Sequence, residues 1–215
     1  MAERGSSGEV YDRIAESFDA TRYKPWPETV EFLASLPKGS LVLDVGCGNG
    51  RNAVCAEKMG LRVVAFDVSP GMVEKAVGKT RETSYALADA CLTPFDDSSF
   101  DAVIAIAVIH HIESEDGRRE ALREIGRVLK PGGRALIGVW AREQERLGGK
   151  PDSSGDAWVD WKLPGGGCEK RYYHLYSERE FCEAIAAAGL REESYFFRCD
   201  NHYTIATKVV KNFSS

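Results

Sequence analysis

Apolar and polar residues along the chain switch repeatedly between a helical and an extended spacing. Between Glu9 and Ser17, the residues Val10, Ile14 and Ser17 fall on one helical stripe. Two prolines within Thr21–Pro27 break it, and Glu28–Leu36 reads as a second helix. Leu41–Gly46 is then a short apolar run, the pattern of a strand covered on both faces in a parallel sheet. The exchange repeats: Asn52–Met59 is helical, Arg62–Val68 is a strand, a helix follows Ser69-Pro70, and Ser84–Ala90 is a third strand. A turn at Asp96–Ser99 leads into strand Asp101–Ile109. Helix Arg118–Leu129 stops at Pro131-Gly132-Gly133, and Ala135–Ala141 is the fifth strand. Strands interleaved with helices predict an α/β fold with a doubly wound parallel sheet.

The tail is organised differently. Residues 142–170 are rich in glycine, proline and charge without clear periodicity, which predicts a long loop or lid. Ser177–Ala188 reads as a helix with Ser177 as N-cap, Glu180 completing a capping box and Gly189 ending it. Glu193–Cys199 and Tyr203–Val209, joined by Asp200-Asn201-His202, read as a closing antiparallel hairpin. The chain shows no repeat and no linker, so residues 9–215 are expected to form one domain behind a small, polar, frayed segment 1–8.

Composition narrows the function classes. With 215 residues, 43% hydrophobic and 28% charged, the chain has an ordinary globular balance. A net charge of −5 argues against coating nucleic acid by charge alone, while leaving room for a local basic patch. The six cysteines (Cys47, Cys55, Cys91, Cys168, Cys182, Cys199) lack CxxC spacing and read as reduced thiols, neither a disulfide framework nor a metal site. No apolar run approaches the ~20 residues of a membrane span, and the first residues contain no apolar signal core. The expectation is a cytoplasmic protein, or one shared with the nucleus, that meets no membrane.

The strongest local signal is LVLDVGCGNGR, Leu41–Arg51. A dinucleotide-binding turn spaces its glycines G-x-G-x-x-G to approach a pyrophosphate. Here the spacing is Gly46-x-Gly48-x-Gly50, with Asp44 just ahead of it. A carboxylate there repels a pyrophosphate but suits an ammonium or sulfonium charge. Asp67 at the end of the second strand can accept both ribose hydroxyls, and Asp89-Ala90 at the end of the third can meet an adenine amine. This pattern resembles class I S-adenosylmethionine-dependent methyltransferases, whose mostly parallel seven-stranded sheet ends in an antiparallel hairpin. The resemblance implies S-adenosylmethionine as cofactor, held by Asp44, Gly46, Cys47, Gly48, Asp67, Val68, Asp89, Ala90 and Ile106.

A finer resemblance covers about Glu9 to Val209. Val10–Pro27, Ile106–His111, Pro131–Glu145, Arg171–Glu180 and the Asp-Asn within Cys199–Lys208 together resemble the eukaryotic tRNA methyltransferases that esterify 5-carboxymethyluridine at the wobble position. That implies the tRNA anticodon loop as substrate and a small zinc-binding activator subunit as partner. Such a nucleophile is already anionic at neutral pH, so the site needs positioning and a cationic hold rather than a base. Arg22, His110 and Arg171 are the candidates for orienting it. Trp26, His111, Trp140, Tyr172, Tyr173, His174 and Asn201 are candidates for gripping the base or shaping the pocket. In an extended segment Tyr172 and Tyr173 point opposite ways, so at most one reaches a substrate. Arg22, Lys24, Lys162, Lys170 and Arg171 are candidates for phosphate contact. Arg119, Arg123, Arg127 and Lys130, interleaved with Glu120 and Glu124, read as a solvated helix face. The chain departs from that family at His202, at Arg51-Asn52 and in a short segment between Glu145 and Lys170. The alternatives are a small-molecule carboxyl or hydroxyl methyltransferase and an inactive binding scaffold.

Overall fold

The computed structural model describes residues 6–144 and 151–209. The last two residues of the expected frayed segment, Ser7 and Gly8, belong instead to the first helix, α1 (Ser7–Thr21). Ser6 caps it, with its Oγ accepting from the Glu9 amide while the Glu9 carboxylate accepts from the Ser6 amide, a reciprocal box that satisfies two end donors. Helix α2 (Pro27–Ala34) leads into β1 (Leu41–Val45), α3 (Arg51–Lys58), β2 (Arg62–Asp67), α4 (Pro70–Ala76), β3 (Ser84–Leu87), β4 (Phe100–Ile106) and α5 (Glu115–Val128). Then come β5 (Leu129–Trp140), β6 (Asp156–Lys162), β7 (Cys168–His174), α6 (Glu178–Ala187), β8 (Leu190–Arg198) and β9 (Asn201–Lys208).

Seven strands form one sheet in the order β3-β2-β1-β4-β5-β9-β8. The five N-terminal strands are parallel and β9 and β8 close the edge antiparallel, which bears out the expected doubly wound sheet and its hairpin. Their apolar residues alternate between two cores. Val103 and Ala105 of β4 join Ile137 and Val139 of β5 under α5 and α6. Ala102, Ile104 and Leu136 join Phe32 and Ala53 on the α2–α3 side. The basic stripe is a solvated face at Arg119 and Arg123, paired with Glu115 and Glu120, whereas Glu124 is buried and with Arg127 binds Thr93, Phe95 O and Asp97, and Lys130 belongs to β5.

The structure corrects the expectation for residues 142–170. The described part is not a loop: β6 and β7 form a separate two-stranded sheet, with Trp161 opposite Glu169 and Val159 opposite Arg171. Its turn uses Gly165, Gly166 and Gly167, all at positive φ. Residues 145–150 lie outside the described residues. The fifth strand also begins earlier than expected, at Leu129. It passes through Pro131-Gly132-Gly133 by shifting register between Phe100 and Ala102 of its neighbour, rather than starting after that turn.

Two contacts set α1 and the hairpin over the carboxyl edge of the large sheet. Asp12 accepts from Gly71 N–H (2.6 Å) and from Ser69 Oγ (3.1 Å) at the start of α4. Arg13 pairs with Glu169 of β7 at 3.0 Å.

Candidate active site

A cavity of about 820 Å³ opens where the parallel strands end. After β1 the chain turns through Gly46, Gly48 and Gly50 at φ +59°, +54° and +77°, a region that disfavours side chains. At Gly46 space is also closed, because a Cβ there would lie 2.6 Å from Val108 Cγ2. The turn is tied to β2 through Asp67, whose Oδ2 accepts from Gly48 N–H (2.8 Å) and Oδ1 from Ser69 N–H (3.0 Å). Each oxygen keeps a second lone pair for a ligand, and Asp67 lines the cavity. Burial raises its pKa, against the pull of those amides. Strand β3 stops at Leu87, earlier than expected, so Asp89 and Ala90 sit in the loop beyond it. Both line the cavity, with Asp89 Oδ1 accepting from Cys91 N–H at 2.8 Å.

Gly46, Cys47, Gly48, Asp67, Val68, Asp89, Ala90 and Ile106 all line this cavity; Asp44 does not. It is buried on β1, with neither carboxylate oxygen hydrogen-bonded. Burial lifts its pKa to about 7, opposed by the Asn52 amide and the Arg51 charge.

The other half of the cavity is built by the exits of β4 and β5, by α1 and by β7. Ala107, a non-glycine residue at φ +59°, turns the chain sharply out of β4 into the short 3-10 turn Ile109–His111. The two histidines there have different roles. Trp140 N–H donates to His110 Nδ1 at 3.1 Å, so the ring's proton sits on Nε2, an N–H that has no partner. Full burial, with the neighbouring His111, Arg171 and His174, holds the His110 pKa well below the usual value, keeping the ring neutral. His111 has no spare nitrogen. Its Nδ1–H donates to Tyr172 O (2.9 Å), its Nε2 accepts from Tyr11 Oη (2.7 Å), and burial depresses its pKa to about 3.

Arg22, Arg51 and Arg171 also line the cavity, and among the described residues none of them makes a salt bridge. Arg171 Nε is buried without a partner. Trp26, Trp140 and Tyr173 share the wall; Tyr173 stacks on His110 (5.1 Å between centroids, 18° between planes) and lies 4.3 Å from Trp140.

Three expected substrate contacts lie elsewhere. Alternation along β7 turns Tyr172 away from Tyr173, and its hydroxyl bonds Asp156 Oδ1 (2.7 Å) and Glu113 O (3.2 Å). His174 is buried between Asp156 and Glu180, at 2.7 Å from each, which clasps the hairpin to α6. Asn201 starts β9 opposite Trp140 and donates to Cys199 O at 2.6 Å, outside the cavity lining. Of the departures, His202 is buried against Tyr195 Oη (2.8 Å) and Tyr176 O (3.0 Å), whereas Arg51 lines the cavity with its guanidinium 5.6 Å from the Trp26 ring centroid. Sequence reasoning missed Tyr11, Phe18 and Trp161. The signal for Trp161 is its place as third member of the period-2 set Ala157, Val159, Trp161, too short to single it out.

The sheet order, the glycine turn and the acids ending β2 and following β3 define a class I S-adenosylmethionine-dependent methyltransferase, and residues 43–137 match the Methyltransferase domain family. Over 221 residues the chain is 35% identical to the tRNA (carboxymethyluridine(34)-5-O)-methyltransferase of Schizosaccharomyces pombe, covering 93% of this chain and 95% of that one. It belongs to the tRNA (carboxymethyluridine(34)-5-O)-methyltransferase family. It is also 44% identical over 155 residues to the Mus musculus relative ALKBH8, an alignment covering 69% of this chain and spanning only 23% of that much longer protein. Among solved structures, the putative methyltransferase of Haloferax volcanii, in complex with the Trm112 methyltransferase activator, superposes with a TM-score of 0.74 at 20% identity. That match covers 96% of this chain and 99% of the other and is a likeness of fold.

The residues present fit the cofactor: Asp67 keeps free lone pairs, Asp89 follows β3, and the glycine turn lets a ligand approach backbone amides. Its sulfonium and ammonium charges favour the ionised form of Asp44, so affinity is expected to rise with pH through 7. The rise should be about threefold to tenfold between pH 6 and 8, levelling above that. Calorimetry across that range checks it, and Asp44→Asn should bind more weakly at pH 8 and lose most of the trend.

Proposed function

We propose that this chain transfers a methyl group from S-adenosylmethionine to the carboxylate of 5-carboxymethyluridine at the tRNA wobble position, giving the methyl ester. The observation that carries the reading is the cationic lining of the cavity: Arg22, Arg51 and Arg171 without carboxylate partners, together with the unpartnered Nε2–H of His110. Guanidinium groups that line a cavity without a counter-ion, Arg22 exposed and Arg51 and Arg171 partly buried, favour an anionic ligand. The cofactor supplies an electrophilic methyl group. The carboxylate oxygen is already ionised, so no proton need be removed and no residue serves as base. His110 suits that chemistry because a neutral ring with its proton on Nε2 donates a hydrogen bond without adding charge. Arg171 and Arg22 hold the anion, and Tyr173, Trp140 and Trp26 offer aromatic faces to the base.

The small activator subunit belongs to the same proposal. Supporting it are the net charge of −5, unfavourable for holding RNA alone, and the relation in fold to a putative methyltransferase solved in complex with a methyltransferase activator. Strand β3 is a sheet edge, and Val77 and Leu87 beside it are exposed apolar residues available to a partner. No helix among the described residues is long and apolar enough to cross a membrane. A tRNA substrate places the protein in the cytoplasm, with the nucleus as a second site.

Nucleoside mass spectrometry on carboxymethyluridine-containing tRNA, incubated with the chain and S-adenosylmethionine, tests the reading. The methyl ester is expected, with higher yield when the activator is added. No ester in either arm, with cofactor bound, removes the tRNA substrate and turns attention to small carboxylates.

A further inference from the structure

Two of the cavity arginines come from distant parts of the chain, Arg22 from the end of α1 and Arg171 from β7. Both guanidinium groups lie over one ring, that of Trp161 on β6, at 5.3 Å and 4.8 Å from its centroid. Trp161 itself does not line the cavity. Its place is fixed independently of the arginines. The indole N–H donates to Ser17 Oγ at 2.8 Å, and the ring stacks on Phe18 at 5.8 Å with 30° between planes.

We propose that Trp161 is the positioning residue of the anion site, holding the guanidinium groups of Arg22 and Arg171 over its ring; the proposal rests on the carboxylate reading above. Two like charges so close repel one another, and something must offset that. A carboxylate between them would do so, but it would also neutralise them and compete with a substrate carboxylate for the same N–H groups. An aromatic face attracts a cation through its quadrupole while carrying no charge and accepting few hydrogen bonds. The arginines are thereby held with their charge left to the substrate, although Arg22 Nη1 also donates to Thr21 O at 3.3 Å. The absence of any salt bridge to either arginine among the described residues fits this arrangement, as does the unpartnered Nε of Arg171.

The test uses the full chain, with activator where needed, in steady-state kinetics on carboxymethyluridine-containing tRNA. Trp161→Leu is expected to raise KM for tRNA about tenfold with kcat changed less than about threefold, and Trp161→Phe to recover to within about threefold of wild type. S-adenosylmethionine affinity should stay at the wild-type value in both, which also shows that both fold. A charge-specific readout separates positioning from packing. In competition, the wild type should prefer tRNA bearing the carboxymethyl group over tRNA bearing the uncharged carbamoylmethyl group, and Trp161→Leu should lose most of that preference. An unchanged KM and preference in Trp161→Leu overturns the proposal while wild-type activity upholds the carboxylate reading. Equal losses in the Leu and Phe variants, accompanied by loss of cofactor affinity, overturn it in favour of a packing role. A wild type that makes no ester removes the carboxylate reading and this proposal together.

Discussion

Asp67→Ala is expected to weaken S-adenosylmethionine binding by about 2–3 kcal/mol, roughly 30- to 150-fold, in calorimetry. The carboxylate stands where β2 ends, buried, and its two oxygens are half used by Gly48 N–H and Ser69 N–H. The remaining lone pairs suit the two ribose hydroxyls, which would lose their acceptors on truncation. The substitution also frees the two amides that tie the glycine turn to the start of α4, so a fall in thermal stability should accompany it. Asp67→Asn separates the effects. It keeps one acceptor oxygen and a comparable volume, so stability should largely return while affinity stays below wild type. Affinity equal to wild type in Asp67→Ala would take this residue out of the site.

Why Asp67 was legible in the sequence, and Trp161 was not, follows from what each signal measures. A parallel strand buried on both faces must be apolar along its length, so an acid at its carboxyl end stands out, and the sheet-edge rule assigns it a ligand. The same reasoning found Asp89 and the glycines. Asp89, Gly46 and Gly48 line the cavity and Asp44 does not, and strand position does not say whether a side chain faces the cavity or the protein; Asp44 shares the face of β1 that carries Val42, which packs with Phe32 of α2 and Ala53 of α3. Tyr173 and Tyr172 were separable in principle by the period of two, but only the hairpin's orientation shows which of them meets His110. The hairpin was hidden by its own composition. Three consecutive glycines and many charges mask a short, amphipathic strand pair that has no large core of its own, and its one alternating set, Ala157, Val159 and Trp161, spans only five residues. The roles of the paired histidines lay beyond any sequence pattern, since they depend on a single backbone amide, that of Trp140, arriving at Nδ1 of one ring.

Arg171→Ala is expected to lower kcat/KM for carboxymethyluridine-containing tRNA by about 100- to 1000-fold, equivalent to roughly 3–4 kcal/mol, while S-adenosylmethionine affinity stays close to wild type. The guanidinium lines the cavity, 4.8 Å and 5.1 Å from the ring centroids of Trp161 and Tyr173, and comes from β7 rather than from the strand ends that carry Asp67 and Asp89. Its loss removes positive charge where the nucleophile must be held and leaves the cofactor half intact. Arg171→Lys restores the charge without the planar fork, so it should recover only part of the activity. The variant also bears on Trp161. If that ring acts through the arginines, Trp161→Leu should cost less on the Arg171→Ala background than in the wild type, because half of what it positions has already gone. Arg22 remains over the ring and keeps the residual cost above zero. A collapse of cofactor binding in Arg171→Ala would instead mark the residue as structural. Full additivity of the two substitutions would mean that Arg171 and the indole contribute separately.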